Sequence, residues 1–403
     1  MAPRLHPNHK VTAWSLGATV AVGMAAGILT VALVNHSSDQ LQVRNVVGAQ
    51  DAQANSAQGG PNVVSQGDPR IKWFSLDAAA TSPLYADGEQ VLFAATRGEE
   101  PVATLYRYSP SLMTIDEVAH FVPRGPLAGI AVVADAVIVA HGEFISIVEM
   151  DGSVRSVQLP PRERAAVVVD GKTPERDLPQ NIRGLLAVGK TIYATRFDVQ
   201  GVEEVSSSDA SPTIRLLELP SSLAPPVGLA ALPTGRLLVS SPFDFYNLRG
   251  GSAILDPQTG AADLIDGRPY SIAVSNGAVI ATQTSMAALF GLDAEGHRVT
   301  VGTQLPLTGR EDHLAASGDV LAVAPEQAGA IFVSRANLAV DRFDLPVLEG
   351  EPSQPWQGDQ SGPVRPSPVR FTSTVPSITV TSDGYVVFVA AGPTLQLGAV
   401  SVR

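Results

Sequence analysis

The chain has 403 residues, of which 45% are hydrophobic, 16% charged and 5% aromatic, and its formal net charge is −12. That acidity excludes a general nucleic-acid binder, which needs a broad basic face. The absence of cysteine excludes disulfides, thiolate metal sites, cysteine nucleophiles and a lipid-modified cysteine anchor.

Residues 1–10 carry Arg4 and Lys10 and precede an uncharged run at 11–34, VTAWSLGATVAVGMAAGILTVALV. At about 1.5 Å per residue a helix of this length crosses a hydrocarbon core of ~30 Å with room for tilt. It is too long for a secretory h-region, and no A-x-A site follows closely, so an uncleaved signal-anchor helix is predicted, with a cleaved signal as the alternative. Arg4 and Lys10 lie before the run and only Arg44 close behind it. The positive-inside rule therefore puts the N-terminus in the cytoplasm and the rest of this single-pass chain outside the cell membrane. Gly23 and Gly27 give a small-xxx-small spacing that lets helices pair, but the abundance of Gly and Ala explains it equally well, and the homo-oligomeric state stays open.

Residues 35–69 mix Gln, Ser, Asn and Gly with scattered apolar residues and read as a flexible linker reaching on the order of 30 Å. From residue 70 to 403 one phrase recurs: an apolar run, a polar turn, a second apolar run. The copies span 83–96, 129–140, 184–195, 228–240, 271–282, 313–324 and 377–390, for example GLLAVGKTIYAT and SIAVSNGAVIAT. Each is a β-hairpin signal. A repeat of ~40–55 residues with about four strands per unit is the period of a β-propeller. The fold class is all-β, a seven-bladed propeller, with six or eight blades left open by the outer strands. Residues 71–76 form an orphan strand, and the last hairpin is followed by one more strand at 393–402. The orphan is expected to complete the last blade and close the ring.

In its strand pattern the span 71–403 resembles the broad bacterial β-propeller superfamily of YVTN, NHL and WD40-like repeats. No repeat ends on Trp-Asp, and no narrower family is indicated. An insertion at 345–376 holds seven prolines, two P-x-x-P spacings and Trp356. It reads as a surface loop, with docking of an extended partner as the alternative.

Propeller loops that enter an inner strand, or that join the second strand to the third, share one rim. The first set carries Arg124, Arg183, Arg268, Arg310 and Arg370. Guanidiniums ringing a central funnel would bind carboxylate or phosphate through bidentate hydrogen bonds. Alternatively, each pairs with an acid such as Asp177, Asp266, Glu311 or Asp312 and pins neighbouring blades. The second set adds Arg97, Glu99, Glu143, Arg196, Asp198 and the loop 242–250, where Phe243, Phe245, Tyr246 and Arg249 suggest contact with a ligand or partner, or packing on the next blade. His141 and His313 fall on the same rim without ligand-spaced companions, so no metal is expected. No nucleophile elbow, phosphate loop, dinucleotide fingerprint or calcium loop occurs, and no catalytic residue or cofactor is predicted.

The expected function is binding or assembly with an envelope protein or an anionic ligand. The alternative is a hydrolase or lyase acting on an anionic envelope glycan, with His141 or His313 as general base and rim arginines stabilising charge.

Overall fold

The computed structural model describes residues 62–97, 102–134, 136–164, 179–206, 212–241, 250–284, 286–301, 305–326, 328–335, 340–350, 369–372, 374–391 and 395–403. They form seven antiparallel sheets in a ring, plus one accessory sheet. Every repeated hairpin is the inner pair of a blade. The inner strands of blades 2 to 7 are Leu127–Val133, Ile182–Val188, Gly228–Ala231, Pro269–Ser275, His313–Ser317 and Thr374–Val380. Residues 11–34 lie outside the described residues, among which no helix is long and apolar enough to cross a membrane.

The apolar runs are continuous because both faces of a blade are covered. In blade 2, Ile130 and Val139 join the core against blade 1. Their neighbours Ala131 and Ile138 face the core against blade 3. With a side-chain period of two, each residue buries against one neighbour or the other. Five inner hairpins close on two-residue turns, where the first turn residue needs positive φ. Asn276-Gly277 supplies it at φ 50° and 76°, whereas Ala134 adopts φ 48° without glycine's freedom.

In blade 1 the inner strand is broken into Ala80–Thr81 and Tyr85–Asp87, both beside Gln90–Thr96. Pro83 has no N–H to give the ladder. The Ser82 hydroxyl and the Leu84 amide repair the gap, accepting from Ala94 N–H at 3.0 Å and donating to Ser377 Oγ at 2.8 Å.

Blade 7 closes the ring as expected. Lys72–Leu76 pairs with Leu395–Ser401 as the outer strand of a sheet otherwise made by the C-terminus, in the register Lys72 to Ala399 and Leu76 to Leu395. Phe74 and Leu76 are buried against blade 1. Gly398 leaves room for the Phe388 ring, which a Cβ would strike, and Trp73 meets that ring edge-on at 5.4 Å.

The accessory sheet consists of Asn62–Ser65, Val347–Gly350 and Val369–Thr372. Thus both ends of the proline-rich insertion are hairpin arms, and the end of the span read as linker is a strand paired to one arm. The polar composition hid this strand because backbone pairing holds it. Beyond it, Asp68 N–H donates to Asp344 O at 2.7 Å, and the Arg70 guanidinium lies 4.2 Å from the Phe343 ring centre.

Candidate functional site at the funnel rim

Antiparallel order places the starts of the inner strands and the turns between second and third strands on one rim. The rim residues expected from sequence fall into two groups. One lies on blades 2 and 3, the other on blades 5 and 6.

On blade 2, Arg124 is exposed, and its guanidinium sits 4.8 Å from the Phe144 ring centre. Its backbone N–H donates to His141 Nδ1 at 3.0 Å. That bond leaves the proton on Nε2, which donates to Ser146 Oγ at 2.8 Å, and Ser146 continues to Ser156 at 2.8 Å. His141 is 0% exposed and lies between the Phe121 and Phe144 rings. Burial, reinforced by Arg124, pushes its pKa down to about 4. His141 therefore does not face a ligand. A polar residue at a strand end looks solvated in sequence, and only the two flanking aromatics show that it is core.

On blade 3, Arg183 lies solvent-exposed on the inner strand with its guanidinium 5.2 Å from the Phe197 ring centre. Crowding by the surrounding walls desolvates it and lowers its pKa. It borders a cavity of about 300 Å³ lined by Pro126, Leu127, Ala128, Asn181 and Ile182, which bridges the inner strands of blades 2 and 3.

Behind this cavity the second loop set is structural. Arg196 is fully buried and pairs with the equally buried Glu203 at 2.9 Å, and Arg162 reaches the same carboxylate at 2.9 Å. Arg196 also donates to Pro160 O at 2.6 Å, and Glu143 accepts from Gln180 N–H at 3.0 Å. Desolvation outweighs the Glu203 attraction and lowers the Arg196 pKa. Arg164 holds Asp198 at 3.2 Å. This network clamps the exit of blade 2 to blade 3, as the blade-pinning alternative requires, but through these residues and not through the funnel arginines.

On blades 5 and 6, Asp312 is fully buried and accepts from Thr308 N–H at 2.8 Å, Thr308 Oγ at 2.6 Å and Gly309 N–H at 3.0 Å. It thus shapes its own loop and does not pair with an arginine. Arg310 is exposed beside it, and Arg268 is half-buried. Among the described residues, no carboxylate forms an ion pair with Arg124, Arg183 or Arg310.

His313 begins the inner strand of blade 6 and meets the Tyr270 ring at 5.8 Å. Burial lowers the His313 pKa to about 4, against an opposing pull from Asp312. Burial, then Glu311, Glu326 and Asp312, raises that of Tyr270. Glu311 is itself raised by burial and by Glu326. Sequence reasoning missed Tyr270, Glu326 and the Phe144 and Phe197 platforms. Their signal was position alone, at strand starts and second turns.

Phe243, Phe245, Tyr246, Arg249, Glu99 and Asp177 lie outside the described residues, as do the arms' connecting residues in the proline-rich insertion. The Arg370 backbone belongs to the accessory hairpin. Among the described residues, Asp293, Glu295 and His297 are the acids and histidine whose ligand atoms come within 4.8 Å of one another. They form an exposed turn on the opposite rim, where Asp293 Oδ1 accepts the Glu295 and His297 amides at 3.0 and 2.8 Å. Turn closure accounts for the cluster without an ion.

No family model and no curated protein matches the chain. Solved structures do. A streptogramin B lyase superposes with a TM-score of 0.56 at 14% identity, covering 82% of this chain and 96% of that one. Virginiamycin B lyase from Staphylococcus aureus gives 0.56 at 12%, covering 82% and 99%. The Cps50 (Swd1) β-propeller domain from Myceliophteria thermophila gives 0.54 at 10%, covering 85% and 100%. At such identities the likeness shows the fold alone: this chain is a seven-bladed β-propeller.

Proposed function

We propose that this propeller is a binding module that receives an anionic group of an envelope protein or small ligand in its funnel. The observation that carries the reading is Arg183: an exposed cation without an ion-paired acid among the described residues, on the wall of a cavity of about 300 Å³. An exposed guanidinium beside a concave wall offers a carboxylate or phosphate a bidentate partner. Arg124 and Arg310 supply further exposed positive charge on the same rim. The run at 11–34 anchors the module in the cell membrane, with the propeller outside. The uncharged length and the flanking charges support that part of the reading.

The test is crosslinking and capture from native membranes with wild type and with Arg183→Gln combined with Arg310→Gln. Titration with citrate, inorganic phosphate and sulfate serves as the small-molecule arm. Loss of capture or of anion binding, with the melting temperature held within a few degrees, supports the funnel. Binding that survives the double substitution overturns it. A reporter fused after Arg403 should be active only outside the cytoplasm.

A further inference from the structure

The cavity between blades 2 and 3 has two unlike walls. Both inner strands begin with a bulge there. The register slips between Leu127 and Gly129 in blade 2, and between Ile182 and Gly184 in blade 3, which leaves Ala128 and Arg183 as the extra residues. A bulged residue drops out of the alternation that buries its neighbours, and its side chain is re-aimed. Blade 2 thus contributes Pro126, Leu127 and Ala128, blade 3 contributes Asn181 and Arg183, and the space of about 300 Å³ lies between them. One wall is apolar and the other is polar.

Main-chain bonds fix both walls. Gly142 N–H donates to Pro126 O at 3.0 Å, and Gly142 O accepts from Ile182 N–H at 2.7 Å, which ties the entrance of blade 3 to blade 2. Asn181 O accepts from Phe197 N–H at 2.8 Å, and the ring of that same phenylalanine carries the Arg183 guanidinium. The Asn181 carboxamide lies against Gly125, with Oδ1 3.6 Å from the place a Cβ would take on that glycine. Among the described residues, neither this carboxamide nor the Arg183 guanidinium has a hydrogen-bond partner. The polar wall therefore presents a bidentate cation, an amide donor and an amide acceptor, whereas the side chains of the apolar wall present no donor at all.

That contrast selects among anions. Phosphate and sulfate carry oxygens on every side, and those turned toward Pro126, Leu127 and Ala128 would lose water without gaining a donor. A carboxylate has its oxygens at one end and carbon at the other. At the end of a polypeptide it also brings a peptide group, which both donates and accepts, and a side chain. We propose that the cavity takes the C-terminus of a polypeptide ending in an apolar residue: the carboxylate on Arg183, the last peptide group on Asn181, the last side chain against Leu127 and Ala128. The volume stands at the lower end for ligand sites, which suits a chain end better than a chain running through. This inference rests on the anionic reading of the funnel and narrows it to one class of ligand.

The test titrates the full-length chain with acetyl-glycyl-glycyl-leucine as the free acid and as the C-terminal amide, beside free acids ending in serine and aspartate. The leucine acid should bind at least about tenfold more tightly than its amide, the worth of one charge-assisted pair, and more tightly than the other two acids. Arg183→Gln, with its fold checked by melting, should erase the difference between acid and amide. Asn181→Ala should weaken acid and amide alike, about two- to tenfold, and leave that difference in place. The same tail fused to the end of a carrier protein should bind as the peptide does. Equal binding of acid and amide, while citrate or phosphate still binds through Arg183, would overturn this inference and leave the anionic reading standing. If no anion responds to Arg183→Gln, both fall. Binding of acetyl-leucine without binding of the carrier-borne tail would assign the site to a small free acid and overturn the chain-end proposal too.

Discussion

In blade 7 the outer position is filled by Lys72–Leu76, a strand brought from the other end of the chain, and the seam it helps seal is dense. Against blade 6 that seam includes Ile71, Phe343, Ile378, Phe388 and Val402. In blade 5 the outer strand holds two residues among the described ones, and there the buried seam to blade 6 consists of Ala273, Leu305, Leu314 and Val323. Both blades grow from the same hairpin phrase, so the phrase does not set how strongly a blade is held. Among the described residues, the buried core is larger where the ring is closed than between blades 5 and 6.

The largest effect should come from breaking the tight side. A chain starting at residue 77 should be at least about 5 kcal/mol less stable than one starting at residue 62, because the buried Ile71, Phe74 and Leu76 lose their sites at roughly 1.5–3 kcal/mol each. Denaturant melts of the two truncations measure it, and equal midpoints would contradict the closure.

Acid should act next, and on the loose side. His313 titrates near 4 in the folded chain, against the ordinary histidine value of 6.5. Its folded pKa is depressed, so the unfolded chain binds the proton first and stability falls as pH drops from about 6.5 to about 4. The total reaches at most about 3 kcal/mol. His313→Gln should flatten that part of the pH–stability curve, leaving the similar loss due to His141 in blade 2. An unchanged slope would mean that His313 protonates normally in the native ring.

A smaller effect tests the packing of the closure. Gly398→Ala drives a methyl into the Phe388 ring, which is fully buried and braced by Trp73. Overpacking of this kind costs about 1–3 kcal/mol. A melt indistinguishable from wild type would show that the ring can shift. The smallest effect belongs to blade 5. Met286→Lys, at an exposed position, should change stability by less than about 0.5 kcal/mol, and a larger loss would mean that the side chain is packed against a neighbour.

The ring was legible in the sequence because each blade needs two apolar runs buried on both faces, and the seven hairpins carry that need directly. The orphan strand at the N-terminus was legible for the same reason, since Trp73, Phe74 and Leu76 require a core. Asn62–Ser65 was not, because pairing with Val347–Gly350 is a main-chain interaction that the residue types do not advertise. The rim was legible in part. Arg124, Arg183 and Arg310 were found from position and are exposed, whereas His141 reads as a rim base until the rings of Phe121 and Phe144 enclose it. Arg196 and Glu203 lie on the two arms of one hairpin, and their mutual burial follows only from how blade 2 hands over to blade 3.

The pairing of Lys72 with Ala399 also sets an order of events in time. A chain made from its N-terminus exposes the apolar strand Lys72–Leu76 first and supplies its partner, Leu395–Ser401, last. The intermediate blades can condense from local hairpins, whereas ring closure joins strands more than 300 residues apart, so it is expected to be the slowest contact to form. A chain interrupted before Leu395 lacks the strand with which Lys72–Leu76 pairs. The strand that seals the ring is thus left without its partner until residues 395–401 are present.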